Sequence, residues 1–118
     1  MFTVNESQIK GVHIFEVIGR MDGDTAPELG RQMDAALDKA IHQLVLDLNG
    51  VDYMSSPGLR EIVRIYKRAQ SVGGDLRLAN PSDRVLTVLQ LAGLDRAMKL
   101  YTSSLDAVDS FSAASPIK

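Results

Sequence analysis

The chain has 118 residues, with 13 basic and 15 acidic side chains, 45% hydrophobic and 5% aromatic residues, and no cysteine. A chain of this size buries roughly two thirds of its unfolded surface, so it can build a core without disulfides or thiolate-bound metal, and the lack of cysteine also excludes thiol catalysis. A net charge of -2 lacks the clustered basic charge that phosphate backbones demand, so nucleic acid is not an expected partner. Met1 to Asn5 holds no basic region leading into an apolar run, and no later apolar stretch nears bilayer-spanning length. The expectation is a cytoplasmic protein with no direct membrane insertion.

Apolar alternation in Phe2-Thr3-Val4-Asn5 and in His13-Ile14-Phe15-Glu16-Val17-Ile18 marks two strands, and the short turn holding Lys10-Gly11 makes them an antiparallel hairpin. Thr25-Ala26-Pro27-Glu28 has the spacing of a capping box with proline just inside, so a helix is expected there. Leu29, Met33, Ala36, Leu37 and Ala40 follow on one face. Leu44-Val45-Leu46-Asp47-Leu48 has the composition of a central strand covered on both faces.

Ser56-Pro57-Gly58 opens a second helix, which buries Leu59, Ile62, Val63, Tyr66 and Ala69 and stops at Gly73-Gly74. Asp75-Leu76-Arg77-Leu78-Ala79 is the next strand. Ser82 caps a third helix through Val85, Leu86, Leu89 and Ala92 to Gly93, Lys99-Leu100-Tyr101 is a short last strand, and Ser103 with Asp106 caps a fourth helix. Composition turns small and polar from Ser110, so residues 1–111 are expected to be the domain and 112–118 a flexible tail.

After the hairpin, each helix joins strands that must run parallel through right-handed crossovers. The sequence therefore predicts an α/β domain: a mixed sheet of about five strands, with an antiparallel N-terminal edge strand and the remainder parallel, and about four helices. Ligands and partners of such sheets meet the loops at the carboxyl ends of the parallel strands. Those loops are Gly19 to Thr25, Asn49 to Ser56, and Asn80 to Ser82.

No phosphate-cradling glycine loop occurs. Asp22-Gly23-Asp24-Thr25 pairs two carboxylates after a strand, as a phosphohydrolase would. The chain is short for such an enzyme, however, the Thr directly follows the second Asp, and acids leading into a helix N-terminus whose dipole favours them explain it better. A response-regulator receiver fails on element order, because no helix separates the first two strands. His13 and His42 lack a companion nucleophile or metal-ligand spacing, which leaves each as a packing or surface residue. The expectation is no catalytic residue, no metal and no cofactor.

What remains is Tyr53-Met54-Ser55-Ser56-Pro57-Gly58-Leu59. Ser56 reads as a helix N-cap with Pro57 at the first helical position. It also stands at a strand-to-helix junction on the functional rim, beside Tyr53 and Met54, which look exposed. Free amides and the helix dipole there favour a phosphate of about -1.5 to -2 charge. One serine can serve as both cap and switch.

Five stretches in this order resemble the STAS domain, and more narrowly the bacterial single-domain anti-sigma factor antagonists: Gly19-Arg20-Met21-Asp22 with Thr25-Ala26; Leu46-Asp47-Leu48; Val51-Asp52-Tyr53-Met54-Ser55-Ser56-Pro57-Gly58-Leu59; Gly73-Gly74; and Leu91-Ala92-Gly93-Leu94. The resemblance implies phosphorylation of a serine at the start of the second helix by a partner that is both anti-sigma factor and serine-protein kinase of the histidine-kinase-like ATPase type. It also implies resetting by a PP2C-type serine phosphatase. Aligning on Gly58-Leu59 puts the acceptor at Ser56, with Ser55 as the alternative. Two positions depart from the family pattern: Ser55 stands where the family has Asp, and Pro57 where it has a second hydroxyl residue.

The expected partner footprint is Asp22, Gly23, Tyr53, Met54, Ser55, Ser56, Pro57, Gly58, Leu59, Arg60 and Val63, on a monomer or weak dimer. Unphosphorylated chain would bind the kinase and release its target, and phosphate would block binding. Two other readings stay open: a STAS subunit or regulator of a membrane transport complex that is never phosphorylated, and a small nucleotide hydrolase using Asp22 and Asp24.

Overall fold

Polar and apolar residues alternate through the first twenty positions and build a hairpin in the computed structural model, which describes residues 2–113. β1 (Phe2–Ile9) pairs antiparallel with β2 (Val12–Met21), in unbroken register from Phe2 opposite Gly19 to Ile9 opposite Val12. Lys10 at φ 54° and Gly11 at φ 81° supply the two left-handed residues of the tight turn. His13 on β2 is a packing residue: its ring stacks on Phe15 with centroids 4.7 Å apart, Nε2 lies 2.8 Å from Glu6 Oε1, and Nδ1 lies 3.3 Å from Gln8 Nε2.

The remaining elements are α1 (Ala26–Asp38), β3 (Gln43–Met54), α2 (Ser56–Ser71), β4 (Asp75–Ala79), α3 (Asp83–Leu91), α4 (Leu94–Ala97), β5 (Leu100–Tyr101) and α5 (Ser104–Ala113). The sheet order is β1-β2-β3-β4-β5, with every pair after the hairpin parallel. Right-handed crossovers between strands laid down in sequence order put successive helices on one face. There Leu29, Met33, Ile62, Ile65, Val85 and Leu89 close over Leu44, Leu46 and Leu48 of β3. The opposite face is covered by α5, whose Ala107 and Val108 meet Val12, Ile14, Val45 and Ala79. Alternate β3 residues thus feed different clusters, which is why its sequence is continuously apolar.

Two buried charges fasten α5, and both are partnered. Asp47, 8% exposed, accepts from the Asn49 amide at 2.9 Å and from Ser104 Oγ at 2.5 Å. Arg77, 6% exposed, donates to Asp75 (2.9 Å) and Ser110 Oγ (2.7 Å) and lies 3.9 Å from the centre of the Phe111 ring. A buried charge is tolerable only with such partners. On the other face, Arg64 bonds Asp34 and Glu61, and Arg68 bonds Asp34 and Asp38, tying α2 to α1. The Arg64 hydrogen bond, with help from Arg68, holds the Asp34 carboxyl below its ordinary range against the opposing effect of burial.

Several local expectations change. The hairpin strands and β3 run further than the alternation suggested, so the connection expected from Asn49 to Ser56 is strand up to Met54. The Thr25–Glu28 capping box does not form; the Thr25 side chain makes no cap bond because it is engaged elsewhere. Ala40 falls beyond α1, exposed at φ 63°. A fifth, four-residue helix, α4, follows Gly93, which sits at φ 77°. By contrast, Ser82 Oγ accepts from the Val85 amide and Ser103 Oγ from the Asp106 amide, as their spacing predicted. α5 runs to Ala113, so 112 and 113 of the expected tail are helical and 114–118 lie outside the described residues.

Two glycines separate what the packing demands from what it merely uses. A Cβ on Gly74 would meet the His42 carbonyl oxygen at 2.1 Å, whereas a Cβ on Gly30 would meet only the movable end of Glu61. Gly74→Ala is therefore expected to destabilise the domain by about 1–3 kcal/mol. Gly30→Ala should cost much less, because Glu61 can swing away and leave Arg64 to Asp34. Denaturant midpoints of the two variants provide the check, and equal losses would contradict it.

Candidate functional site

The carboxyl ends of β2 and β3 lie side by side, with Met21 opposite Met54 and Arg20 opposite Tyr53. Register shifts between Glu16 and Ile18 and between Gly19 and Arg20 leave β3 with extra residues there, and such bulges re-aim strand ends. Gly50 makes the first shift possible, since a Cβ would come within 2.9 Å of the Val17 carbonyl oxygen.

A single residue, Ser55, connects β3 to α2. Its backbone amide donates to the Met21 carbonyl at 2.9 Å, and its Oγ donates to the same oxygen at 3.1 Å. Ser55, in extended geometry at φ -100° and ψ 173°, holds the N-cap position without a side-chain cap bond. This corrects the sequence reading: the cap position is Ser55, not Ser56, and Ser56 is the first helical residue. Pro57 occupies the next position, where its missing amide costs no intrahelical bond.

The two hydroxyls are therefore not equivalent. Ser55 is half-buried and tied to Met21, whereas Ser56 is exposed. Gly58 is buried because α2 starts directly on β2: a Cβ would lie 2.8 Å from Met54 Sδ and 3.2 Å from the Met21 carbonyl oxygen. Met54, expected to stand exposed beside Tyr53, is 5% exposed and belongs to the core. It packs beneath the helix start, since alternation on β3 sends it to the opposite face from Tyr53.

Across the rim, the Asp22 carboxylate folds back on its own loop. Oδ1 accepts from the amides of Asp24 (3.0 Å) and Thr25 (3.1 Å), while Thr25 Oγ1 accepts from the Asp22 amide and donates to the Arg20 carbonyl. These bonds, led by the Asp24 and Thr25 amides and assisted by the Thr25 hydroxyl and Arg20, hold the Asp22 carboxyl below its ordinary value of 3.8. Asp22 therefore has a loop-holding task, and the paired-carboxylate reading of Asp22 and Asp24 loses its free acid. Among the described residues, no three His, Asp or Glu side chains converge on a metal position.

Gly23 lies against Pro57, with a Cβ position 3.9 Å from Pro57 Cγ, so the two loops meet. Asp24 is exposed on the same loop as Gly23, and Asp52, exposed on β3, lines a pocket with Ser82 and Arg84. Arg20 lies with its guanidinium carbon 4.2 Å from the centre of the Tyr53 ring and Nε 3.7 Å from Asp22 Oδ2. Arg20 is the member of this rim that residue patterns did not single out; only the β2–β3 register places it on Tyr53. Along α2, Leu59 and Val63 are half-buried and Arg60 is exposed.

Sheet order, crossover helices on one face and a returning C-terminal helix define a small mixed-sheet α/β class. The STAS domain model matches residues 3–107, and the chain belongs to that family. It is 30% identical over 109 residues to BtrV of Bordetella bronchiseptica, named as a candidate anti-sigma factor antagonist, covering 92% of this chain and 94% of that one. The anti-sigma F factor antagonist of Paenibacillus polymyxa is 29% identical over 100 residues, covering 84% of this chain and 86% of that one. Among solved structures, a candidate anti-sigma factor antagonist from Thermotoga maritima superposes with TM-score 0.86 at 28% identity, covering 91% of this chain and 92% of that one.

The Asp22 loop makes a pH prediction. A depressed carboxyl contributes stability that is complete above the unfolded value of about 3.9 and is lost as the pH falls through the lower folded value. A carbon NMR titration is expected to place the Asp22 midpoint below 3.8, and Asp22→Asn should flatten the acid side of the stability profile. A midpoint at or above that value would contradict the loop geometry.

Proposed function

We propose that this chain is a phosphorylation-switched protein-binding regulator, an anti-sigma factor antagonist acting in the cytoplasm. Its unphosphorylated form binds a partner that is both anti-sigma factor and serine kinase of the histidine-kinase-like ATPase type, which then releases its target. Phosphate on Ser56 ends that binding, and a PP2C-type phosphatase restores it. The observation that carries the reading is the contrast at the α2 start: Ser56 presents an exposed hydroxyl on the first turn, while the Ser55 hydroxyl is bonded to Met21 O. The names of the relatives supply the role.

In the transfer step the Ser56 oxygen attacks the terminal phosphorus of the kinase's nucleotide, the bond to the leaving diphosphate breaks, and the hydroxyl proton passes to a base on the kinase. The modified side chain stays compatible with the helix, because early amides and the dipole favour negative charge there, and Arg60 stands one turn further on. Partner binding is where the charge acts. The docking surface comprises Asp22, Gly23, Tyr53, Ser56, Leu59, Arg60 and Val63, with Met54, Ser55, Pro57 and Gly58 holding it in shape. Asp24, exposed on the Asp22 loop, already contributes negative charge to that surface. A further charge of about -1.5 to -2 at its centre imposes repulsion and desolvation of several kcal/mol, and each 1.4 kcal/mol is about tenfold in affinity.

Calorimetry and intact-mass measurement with the kinase from the source cells test this. Ser56→Ala is expected to bind as the parent does and to accept no phosphate, and Ser56→Asp to bind at least about tenfold more weakly. Ser55→Ala should still be phosphorylated while losing about 1 kcal/mol of stability with the Met21 bond. Full phosphate incorporation into Ser56→Ala would move the acceptor elsewhere.

A further inference from the structure

At the end of the sheet away from Ser56, a cavity of about 340 Å³ opens between the amino ends of β3 and β4, the turn that follows α2 and the last turns of α5. Gln43, Asp75 and Arg77 line it from the sheet, Lys99 from the position before β5, Gln70 from α2 and Phe111 from α5. Gln43 pairs with Asp75 and Val45 with Arg77, so strand alternation puts all four on the face that α5 covers. α5 closes over Val45 and Ala79, and the cavity lies at the amino-terminal end of that same face.

Donors and acceptors around this cavity do not balance. The Asp75 carboxylate has both oxygens engaged, Oδ1 by Gln70 Nε2 at 2.8 Å and Oδ2 by Arg77 Nε at 2.9 Å. Arg77 is only 6% exposed, yet of the five N–H groups of a guanidinium just two have partners among the described residues: Nε bonds Asp75, and Nη1 bonds Ser110 Oγ at 2.7 Å. The Phe111 ring lies 3.9 Å from the guanidinium carbon and covers one face, so any further hydrogen bond forms in the guanidinium plane. Lys99 is exposed and makes no ion pair among the described residues. Two cations thus face one carboxylate whose oxygens are already used.

We propose that this cavity binds a small oxyanion, a carboxylate or phosphate group, which accepts from the remaining in-plane N–H groups of Arg77 and from the Lys99 ammonium, with the Gln43 amide as a further donor. Buried N–H groups without acceptors are costly, and the planar fork of a guanidinium matches the paired oxygens of such an anion. The volume stands at the lower end of ligand sites and suits a free small acid. Because Arg77 also holds Ser110 and Phe111, the bound anion tightens the seat of α5 on the sheet. The site lies at the opposite end of β3 from Ser56 and does not depend on the regulator reading.

The test titrates the full chain with sodium phosphate and, separately, with sodium acetate, at an ionic strength held constant with chloride, while nitrogen NMR follows the backbone amides and the Arg77 Nε–H. At least one of the two anions is expected to produce saturable shifts at Arg77 Nε and at the amides of Gly73, Gly74 and Phe111, with little change at Ser56, and to raise the unfolding midpoint as its concentration rises. The anion that binds more tightly then names the chemistry of the natural ligand. Lys99→Gln should weaken binding about tenfold and leave the anion-free midpoint unchanged, since this side chain is exposed. Arg77→Lys keeps the charge without the fork and should abolish saturation; if that variant does not fold, Lys99→Gln decides. Shifts that grow without saturating for both anions, equal affinity in the parent and Lys99→Gln, or shifts centred on the Ser56 rim would each overturn the assignment.

Discussion

The Met21 carbonyl oxygen is the point on which the rim is built. It accepts both the amide and the hydroxyl of Ser55, so the single residue between β3 and α2 has no freedom to wander. A Cβ at Gly58 would lie 3.2 Å from this oxygen and from the Met21 Cβ, and 2.8 Å from Met54 Sδ, so glycine lets the first turn of α2 sit tightly on the end of β2. Everything exposed at the rim follows from that fixture: Ser56 faces outward because Ser55 is held inward, and Met54 is buried because the helix starts above it. A one-residue connection costs little entropy to order and transmits the strand position directly to the helix.

The fixed charges near this fixture are largely engaged before any partner arrives. Asp22 is bonded to the amides of its own loop, Arg20 lies over Tyr53, and the basic residues of α2 facing α1 are neutralised by Asp34, Asp38 and Glu61. Exposed pairs of this sort add little stability singly, and a shared network mainly fixes orientation. What they leave is an uneven surface, acidic at Asp24 and Asp52 and basic at Arg60 and Lys67. Under the proposed reading, a phosphate on Ser56 would act on a partner through this local charge, with no refolding of the domain required. That agrees with a switch made by local electrostatics on a rigid scaffold.

Much of the fold was legible in the residues because its signals are local. The Lys10-Gly11 turn, the periodic faces of α1 and α2, the serine caps of α3 and α5 and the apolar run of β3 each follow from neighbouring positions and elementary sterics. Element order then left few topologies, because parallel connections take one hand. The sequence also marked the Ser55-Ser56-Pro57-Gly58 junction as the place for chemistry. What it left open there was which serine caps, which is free, and whether Met54 is surface or core.

Those questions were decided by contacts between residues far apart in the chain. Ser55 became the tied hydroxyl through Met21, and Arg20 found Tyr53 through a register shifted by a bulge. No periodicity encodes such pairings, since each depends on where two strands come to rest to within a fraction of a hydrogen-bond length. Sequence alone determined most of the elements and their order, and marked the junction for which a function is proposed, because propensity and hydrophobic pattern act along the chain. Tertiary structure decided which hydroxyl at that junction faces solvent, because hydrogen bonding to a distant carbonyl is satisfied only after the sheet has formed.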